Sequence, residues 1–138
     1  MAATLHLEIV TPETRAYSDD VDFVMLPAIE GEMGVYPMHV PLITSIKPGE
    51  LLVTKGGKTT HLAVGEGFVE VTGDKVSVLV DMAMTEEAID EKAAEEAIRR
   101  AEARLKEQHL GDKESALVQA AIAKSLAQLN VKRRRRGA

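Results

Sequence analysis

The hydrophobic pattern of this chain changes period once, near Ala83, and that change limits the possible folds more than any other feature. Before it, apolar residues recur at every second position over short runs: Leu5, Leu7 and Ile9, then Val21, Phe23 and Met25, then Val76, Val78 and Val80. Alternation of this kind gives a strand one apolar and one polar face. After it, Ala93, Ala97, Ala101 and Leu105 fall four apart beside Ala94 and Ile98, the spacing of one helix face. The chain is therefore expected to be a sheet followed by helices. Residues 1–84 are expected to form an antiparallel β-sandwich or flattened barrel, and residues 85–138 an antiparallel two-helix hairpin with a basic tail.

Turn residues set the strand limits. Thr4 to Val10 is closed by Thr11-Pro12, and Val21 to Leu26 closes at Pro27. Glu50 to Thr54 leads through Gly56-Gly57, a hairpin signal, into Lys58 to Val64. Gly65 and Gly67 frame a bend before Phe68 to Thr72. Gly73-Asp74, with glycine first as a type II′ turn prefers, connects to Lys75 to Val80. No helix-length segment separates these runs, so a parallel sheet is not expected. Asp90 is placed to cap the first helix and Asp112 the second. In the second helix Val118, Ile122, Leu126 and Leu129 form one stripe, with Ala116, Ala120, Ala123 and Ala127 beside it. An alanine seam buries little apolar area, which suggests a hairpin held weakly enough to detach. The same alanines are also simply good helix formers.

Several function classes are disfavoured. Hydrophobic residues make up 45% of 138, enough for a core, but aromatics are 3% and Trp is absent, so stacking platforms for single-stranded nucleic acid are nearly missing. Without Cys there are no disulfides and no thiolate metal sites. No secretory signal is visible, and no run of 18 apolar residues is present to span a bilayer. The histidines at 6, 39, 61 and 109 lack ligand spacing, and His6 and His61 fall on polar strand positions, as surface residues do. No phosphate-binding glycine loop or nucleophile elbow occurs, so catalysis, a cofactor and a metal are not expected. Charge is uneven. Residues 1–84 hold 12 acidic and 5 basic side chains, whereas 85–138 hold 10 and 12, with five consecutive cations from Lys132 to Arg136.

The most informative single stretch is Gly31 to Gly49, GEMGVYPMHVPLITSIKPG. Pro37, Pro41 and Pro48 exclude a helix, yet Met33, Val35, Tyr36, Met38, Val40, Leu42, Ile43 and Ile46 are too apolar for a linker. It reads as a compact loop packed on the core that re-enters a strand at Leu42 to Ile46, with Gly34 and Gly49 at positive φ or a close approach. Its polar members, Glu32 and His39, are read from the residues alone as a surface carboxylate and a histidine satisfying loop backbone groups.

Gly31, Glu32, Gly34, Pro37, His39, Pro41, Leu42, Thr44, Ile46, Lys47, Pro48 and Gly49 together resemble the N-terminal domain of the epsilon subunit of bacterial and chloroplast F-type ATP synthase. The likeness continues through Gly67, Phe68, Glu70 and Val71, through Val76 to Asp81, and into a helical end of the expected length. It implies a non-catalytic central-stalk subunit, peripheral on the cytoplasmic face of the bacterial inner membrane. Such a subunit is bound to gamma and to the ring of c subunits, couples proton flow to ATP synthesis, and restrains hydrolysis through its C-terminal helices. By the same resemblance, Glu32 and His39 contact the polar loops of the c ring, where a carboxylate meets an arginine. Met38 stands where many family members have Gly. Lys132, Arg133, Arg134, Arg135 and Arg136 would meet an acidic segment of the catalytic head, built of α and β subunits. From the residues alone the tail also suits nucleic acid, an anionic membrane surface or a solubilising end. Some family members bind ATP through Ile/Leu-Asp-x-x-Arg-Ala; here Ile89, Asp90 and Ala93 hold those positions, so the arginine is missing and ATP binding is expected to be weak or absent. The competing reading is a free-standing β-sandwich binding module with a helical appendage, which would not co-purify with gamma.

Overall fold

The structure, a computed structural model, describes residues 3–107 and 109–137. Ten strands among the described residues form one sheet that folds over on itself: β1 (Leu5–Val10), β2 (Arg15–Val21), β3 (Phe23–Ala28), β4 (Gly31–Val35), β5 (Leu42–Ile46), β6 (Gly49–Lys55), β7 (Lys58–Val64), β8 (Gly67–Thr72), β9 (Lys75–Val80) and β10 (Ala83–Thr85). Their order is β10-β7-β6-β3-β5-β8-β9-β1-β2, with β4 paired to β3 off this path. The sheet is antiparallel, as expected, with one correction: β1 and β9 run parallel from His6↔Lys75 to Val10↔Leu79. A parallel pair needs a long crossover, and here that crossover consists of the strands lying between them in sequence rather than a helix.

β3 carries the sheet from one half to the other. It begins against β6, from Phe23↔Thr54 to Met25↔Leu52, and ends against β5 at Ala28↔Ile46. The enclosed core is aliphatic. Leu5, Leu7, Ile9, Val24, Leu26, Leu51, Val53, Leu62, Val64, Val69, Val76 and Val78 form one continuous buried cluster. The sequence places Phe23 and Met25 on that face, whereas the structure buries Val24 and Leu26. The cause is Asp22, which takes the corner between β2 and β3. Its N–H donates to the Thr54 carbonyl at 2.8 Å and its carboxylate accepts the Gly56 N–H at 2.8 Å, so side-chain parity slips by one. β2 was not anticipated, because Arg15, Ser18, Asp19 and Asp20 give an edge strand no apolar alternation. Pro27 lies inside β3 rather than ending it, beyond the point where pairing with β6 stops at Met25.

The glycine turns follow their chemistry. Gly56 (φ 57°) and Gly57 (φ 78°) both take the left-handed backbone that a type I′ hairpin requires, and at Gly73-Asp74 the positive φ falls on glycine alone, as in type II′.

A 3₁₀ turn (Glu86–Ala88) leads to α1 (Glu91–Glu107) and α2 (Asp112–Gly137). Asp90 caps α1 as expected: its Oδ1 accepts the Ala93 N–H and its carbonyl the Ala94 N–H, both at 3.1 Å. The cap of α2 is Gly111, whose carbonyl accepts the Ser115 N–H at 2.9 Å, so Asp112 instead sits in the first turn near the positive helix end. The α2 stripe also differs. Val118 lies toward α1, but the C-terminal half turns Ser125, Ala127, Leu129 and Val131 inward and leaves Leu126 exposed. One helix here has two partners, α1 and the β6–β7 face, with α1 still beside it at Arg133, and a single straight stripe cannot serve both.

Candidate functional site

Two surfaces collect the residues singled out by sequence. The first is the β4–β5 connection. Gly31 to Val35, read as loop, is strand β4, and Leu42 to Ile46 is strand β5 as expected. Gly34 and Gly49 mark close approaches: a Cβ on Gly34 would lie 2.9 Å from the Phe23 ring, and one on Gly49 2.9 Å from Pro27 Cβ. Core packing holds for Met33, Val35 and Ile46 but not for the tip, where Tyr36, Met38, Val40 and Ile43 are 66%, 80%, 70% and 67% exposed. Tyr36 rests on Phe23 with ring centroids 4.4 Å apart. Met38 has φ 68°, a left-handed backbone that costs a side-chain-bearing residue about 1–2 kcal/mol. His39 Nδ1–H donates to the Val40 carbonyl at 2.7 Å, the loop-bracing bond read from the residues. Glu32 is exposed on β4 opposite Pro27, at the rim of a depression of about 340 Å³ shared with Lys47, Pro48, Glu50 and Arg134. Glu32 and His39 share no hydrogen bond.

The second surface lies beneath the end of α2, and sequence reasoning missed half of it. Glu50 on β6 and His61 on β7 point from the polar face of the sheet, but α2 covers that face. His61, expected at the surface, is therefore half-buried, and its Nδ1–H donates to the Glu50 carboxylate. Arg134 grips the same carboxylate as a fork, Nε 2.9 Å from Oε1 and an Nη 2.9 Å from Oε2. Arg133 reaches α1 instead, bonding Glu91 at 2.9 Å and Glu95 at 2.6 Å; these hydrogen bonds push its guanidinium pKa further up. Lys132 donates to the Glu86 carbonyl at 3.1 Å. Three consecutive cations on one helical turn, about 100° apart, thus hold three different elements. The side chains of Arg135 and Arg136 lie outside the described residues.

Below this turn is a small apolar seat. Ala63, Ile89, Ala127 and Val131 are buried together, with Met82 and Met84 against them. Further back along α2, Lys124 pairs with Asp81 at 3.2 Å, and Gly65 makes that possible: a Cβ there would stand 1.9 Å from the Asp81 carboxylate. Ile89 and Asp90 are thus taken up by the seat and the cap, while Ala93 is exposed on α1. Among the described residues no group of three or more His, Asp or Glu is placed to hold a metal, and no helix is long and apolar enough to cross a membrane.

Comparison with known proteins agrees with this two-part construction. The family model for the β-sandwich domain of the ATP synthase delta/epsilon chain matches residues 4–86, and the model for its long α-helix domain matches residues 87–133. The chain is 43% identical over 131 residues to an ATP synthase epsilon chain of Syntrophotalea carbinolica, covering 95% of each chain. It is 48% identical over 105 residues to that of Carboxydothermus hydrogenoformans, covering 76% of this chain and 78% of that one. Its fold matches a chain in the Euglena gracilis mitochondrial ATP synthase with TM-score 0.76 and 24% identity, covering 93% of this chain and 80% of the other. A chain from the Tetrahymena thermophila mitochondrial enzyme matches with TM-score 0.64 and 10% identity, covering 94% and 97%. The β-sandwich and the helical end are thus matched part by part, and the chain belongs to the ATP synthase delta/epsilon family.

Proposed function

We propose that this chain is the epsilon subunit of a bacterial rotary ATP synthase: a non-catalytic rotor element, bound to gamma and the c ring, that restrains ATP hydrolysis with its helices. The observation that carries this reading is the way α2 is seated. Its C-terminal half sets Ala127 and Val131 against Ala63 and Ile89, with Met82 and Met84 beside them, and its last turn is tied down by polar contacts, so it can leave without opening the sheet core. The exposed apolar tip at Tyr36, Met38 and Val40, with Glu32 and His39 beside it in sequence, is the face we assign to the c ring. The cations Lys132, Arg133, Arg134, Arg135 and Arg136 are assigned to an acidic segment of the catalytic head. The two structural matches support a rotor role, one coming from an F1/c-ring assembly and the other from a central stalk with its c ring. In this reading residues 1–84 are the anchoring part and 85–138 the regulatory part, and the protein sits peripherally on the cytoplasmic face of the inner membrane.

Reassembly with gamma and the catalytic head tests the proposal. Deleting residues 112–138 should raise ATP hydrolysis several-fold while the truncated chain still co-elutes with gamma. Failure of the full chain to co-elute with gamma would overturn the assignment and favour a free-standing module. Glu32→Lys should weaken proton-driven synthesis, because it puts a cation opposite the arginine of the ring loop. Without an arginine at position 93, ATP should not bind tightly, and calorimetry giving micromolar affinity would refute that.

A further inference from the structure

The basic end of α2 is already satisfied within the folded chain, and one carboxylate is central to that. Glu50 is held on two sides, by His61 from the neighbouring strand and by the Arg134 fork from the helix, with its side chain only 12% exposed. No other residue links the last turn of α2 to β6 by a hydrogen bond or ion pair among the described residues. Arg133 and Lys132 tie the same turn to α1 and to the 3₁₀ turn, so they move with the helical arm, whereas Glu50 belongs to the sheet.

We infer that Glu50 is an internal competitor for the cationic end of α2: it occupies, from within the sheet, the position that an acidic partner segment takes when the arm is released. Such a partner gains Arg134 only by displacing Glu50, and His61 then keeps the freed carboxylate from being left buried without a hydrogen bond. A short charge-assisted fork is strong enough to set this balance, and, being ionic and near the surface, it weakens with salt. The inference rests on the proposed brake only for its consequence in the complex; the contact itself can be tested in the chain alone.

Hydrogen exchange on the full-length isolated chain reads it directly. Glu50→Gln keeps the side-chain shape and removes the charge. Amides of residues 120–134 should then exchange about tenfold faster, with β1, β8 and β9 unchanged, which corresponds to about 1.4 kcal/mol of local opening. Arg134→Gln should do the same, and the double variant should add little to either single one, the signature of one shared interaction. A short poly-glutamate peptide should accelerate the same amides in the natural chain, and should need about tenfold less peptide in Glu50→Gln. Unchanged exchange in both single variants, or full additivity in the double, overturns the inference. Hydrolysis in the reassembled complex separates the two readings. Faster exchange with unaltered inhibition retains the competitor and removes the brake.

Discussion

The sheet and the helical arm of this chain are built to different standards. Seventeen buried aliphatic residues close the sheet around one core, whereas the seat of α2 is a cluster of four buried residues, two of them on α2 itself. Strand ladders fix the first; a few side-chain ions and one apolar patch fix the second. Apolar area is what resists unfolding, so the body is expected to open only with everything else and the arm by itself. The proposed role, an anchor that stays attached while the helices act as a brake, needs this inequality.

The largest expected effect tests whether the body is one unit. Leu62, fully buried on β7, is a member of the one core cluster that the whole sheet encloses. Leu62→Ala should cost about 2–5 kcal/mol, seen as a lower denaturant midpoint with unchanged slope. Next comes the seat. Val131→Asp places a carboxylate among Ala63, Ile89 and Ala127, a burden of about 1–3 kcal/mol that the arm escapes by lifting off. Amides of residues 120–134 should lose protection while the main transition stays in place. If that transition drops as far as in Leu62→Ala, body and arm are one cooperative structure and the contrast fails.

Gly65 sharpens the comparison because it lies in the turn between β7 and β8 but serves the arm. A methyl group there pushes the Asp81 carboxylate off Lys124, itself 3.0 Å away at Cδ. Since the obstacle is the end of a flexible side chain rather than backbone, Gly65→Ala should cost only about 1 kcal/mol, confined to α2 exchange.

How much of this was legible follows the same division. The strand runs with clean alternation, Leu5 to Val10 and Lys75 to Val80, needed nothing beyond their own residues, because each buries one face in one core. β2 and the parity of β3 were hidden, since an edge strand pairs through its backbone and Asp22 is a corner only once Thr54 and Gly56 are near it. Glu50 and His61 could not be found by pattern either. Both occupy ordinary polar strand positions, and only the return of α2 over β6 and β7 turns that face into an interior. The run Lys132 to Arg134 was visible as a cationic tail, but its partners, more than forty positions away at Glu91, Glu86 and Glu50, were not.

A smaller effect concerns the tip. Met38 keeps the left-handed backbone of a position where glycine would be unstrained. Met38→Gly should therefore raise stability by about 0.5–1 kcal/mol after the added chain entropy of glycine, read as a higher denaturant midpoint. It also removes the most exposed apolar side chain of the tip, so under the proposed c-ring assignment coupling should fall as stability rises. Both changing in the same direction would argue against the tip as a contact surface.

The smallest effect is the control. Lys55 on β6 bonds Asp19 on β2 at 2.5 Å, a geometry as good as that of Arg134 on Glu50. The bond holds the Asp19 carboxyl below its ordinary 3.8 and the Lys55 ammonium above its ordinary 10.5. A lowered carboxylate contributes above its unfolded pKa and loses that contribution as pH falls through the folded one; a raised ammonium contributes below 10.5 and loses it as pH rises further. Between these limits the contribution is flat, and because both groups are exposed to solvent it is slight. Lys55→Gln should leave the thermal midpoint at pH 7 within measurement scatter and change no local exchange. β2 and β6 are already joined at the Asp22 corner, so nothing depends on this pair, whereas the end of α2 has little else holding it to the sheet. What an ion pair does here is decided by how firmly its two elements are held without it, and a measurable loss in Lys55→Gln equal to that in Glu50→Gln would refute that rule for this protein.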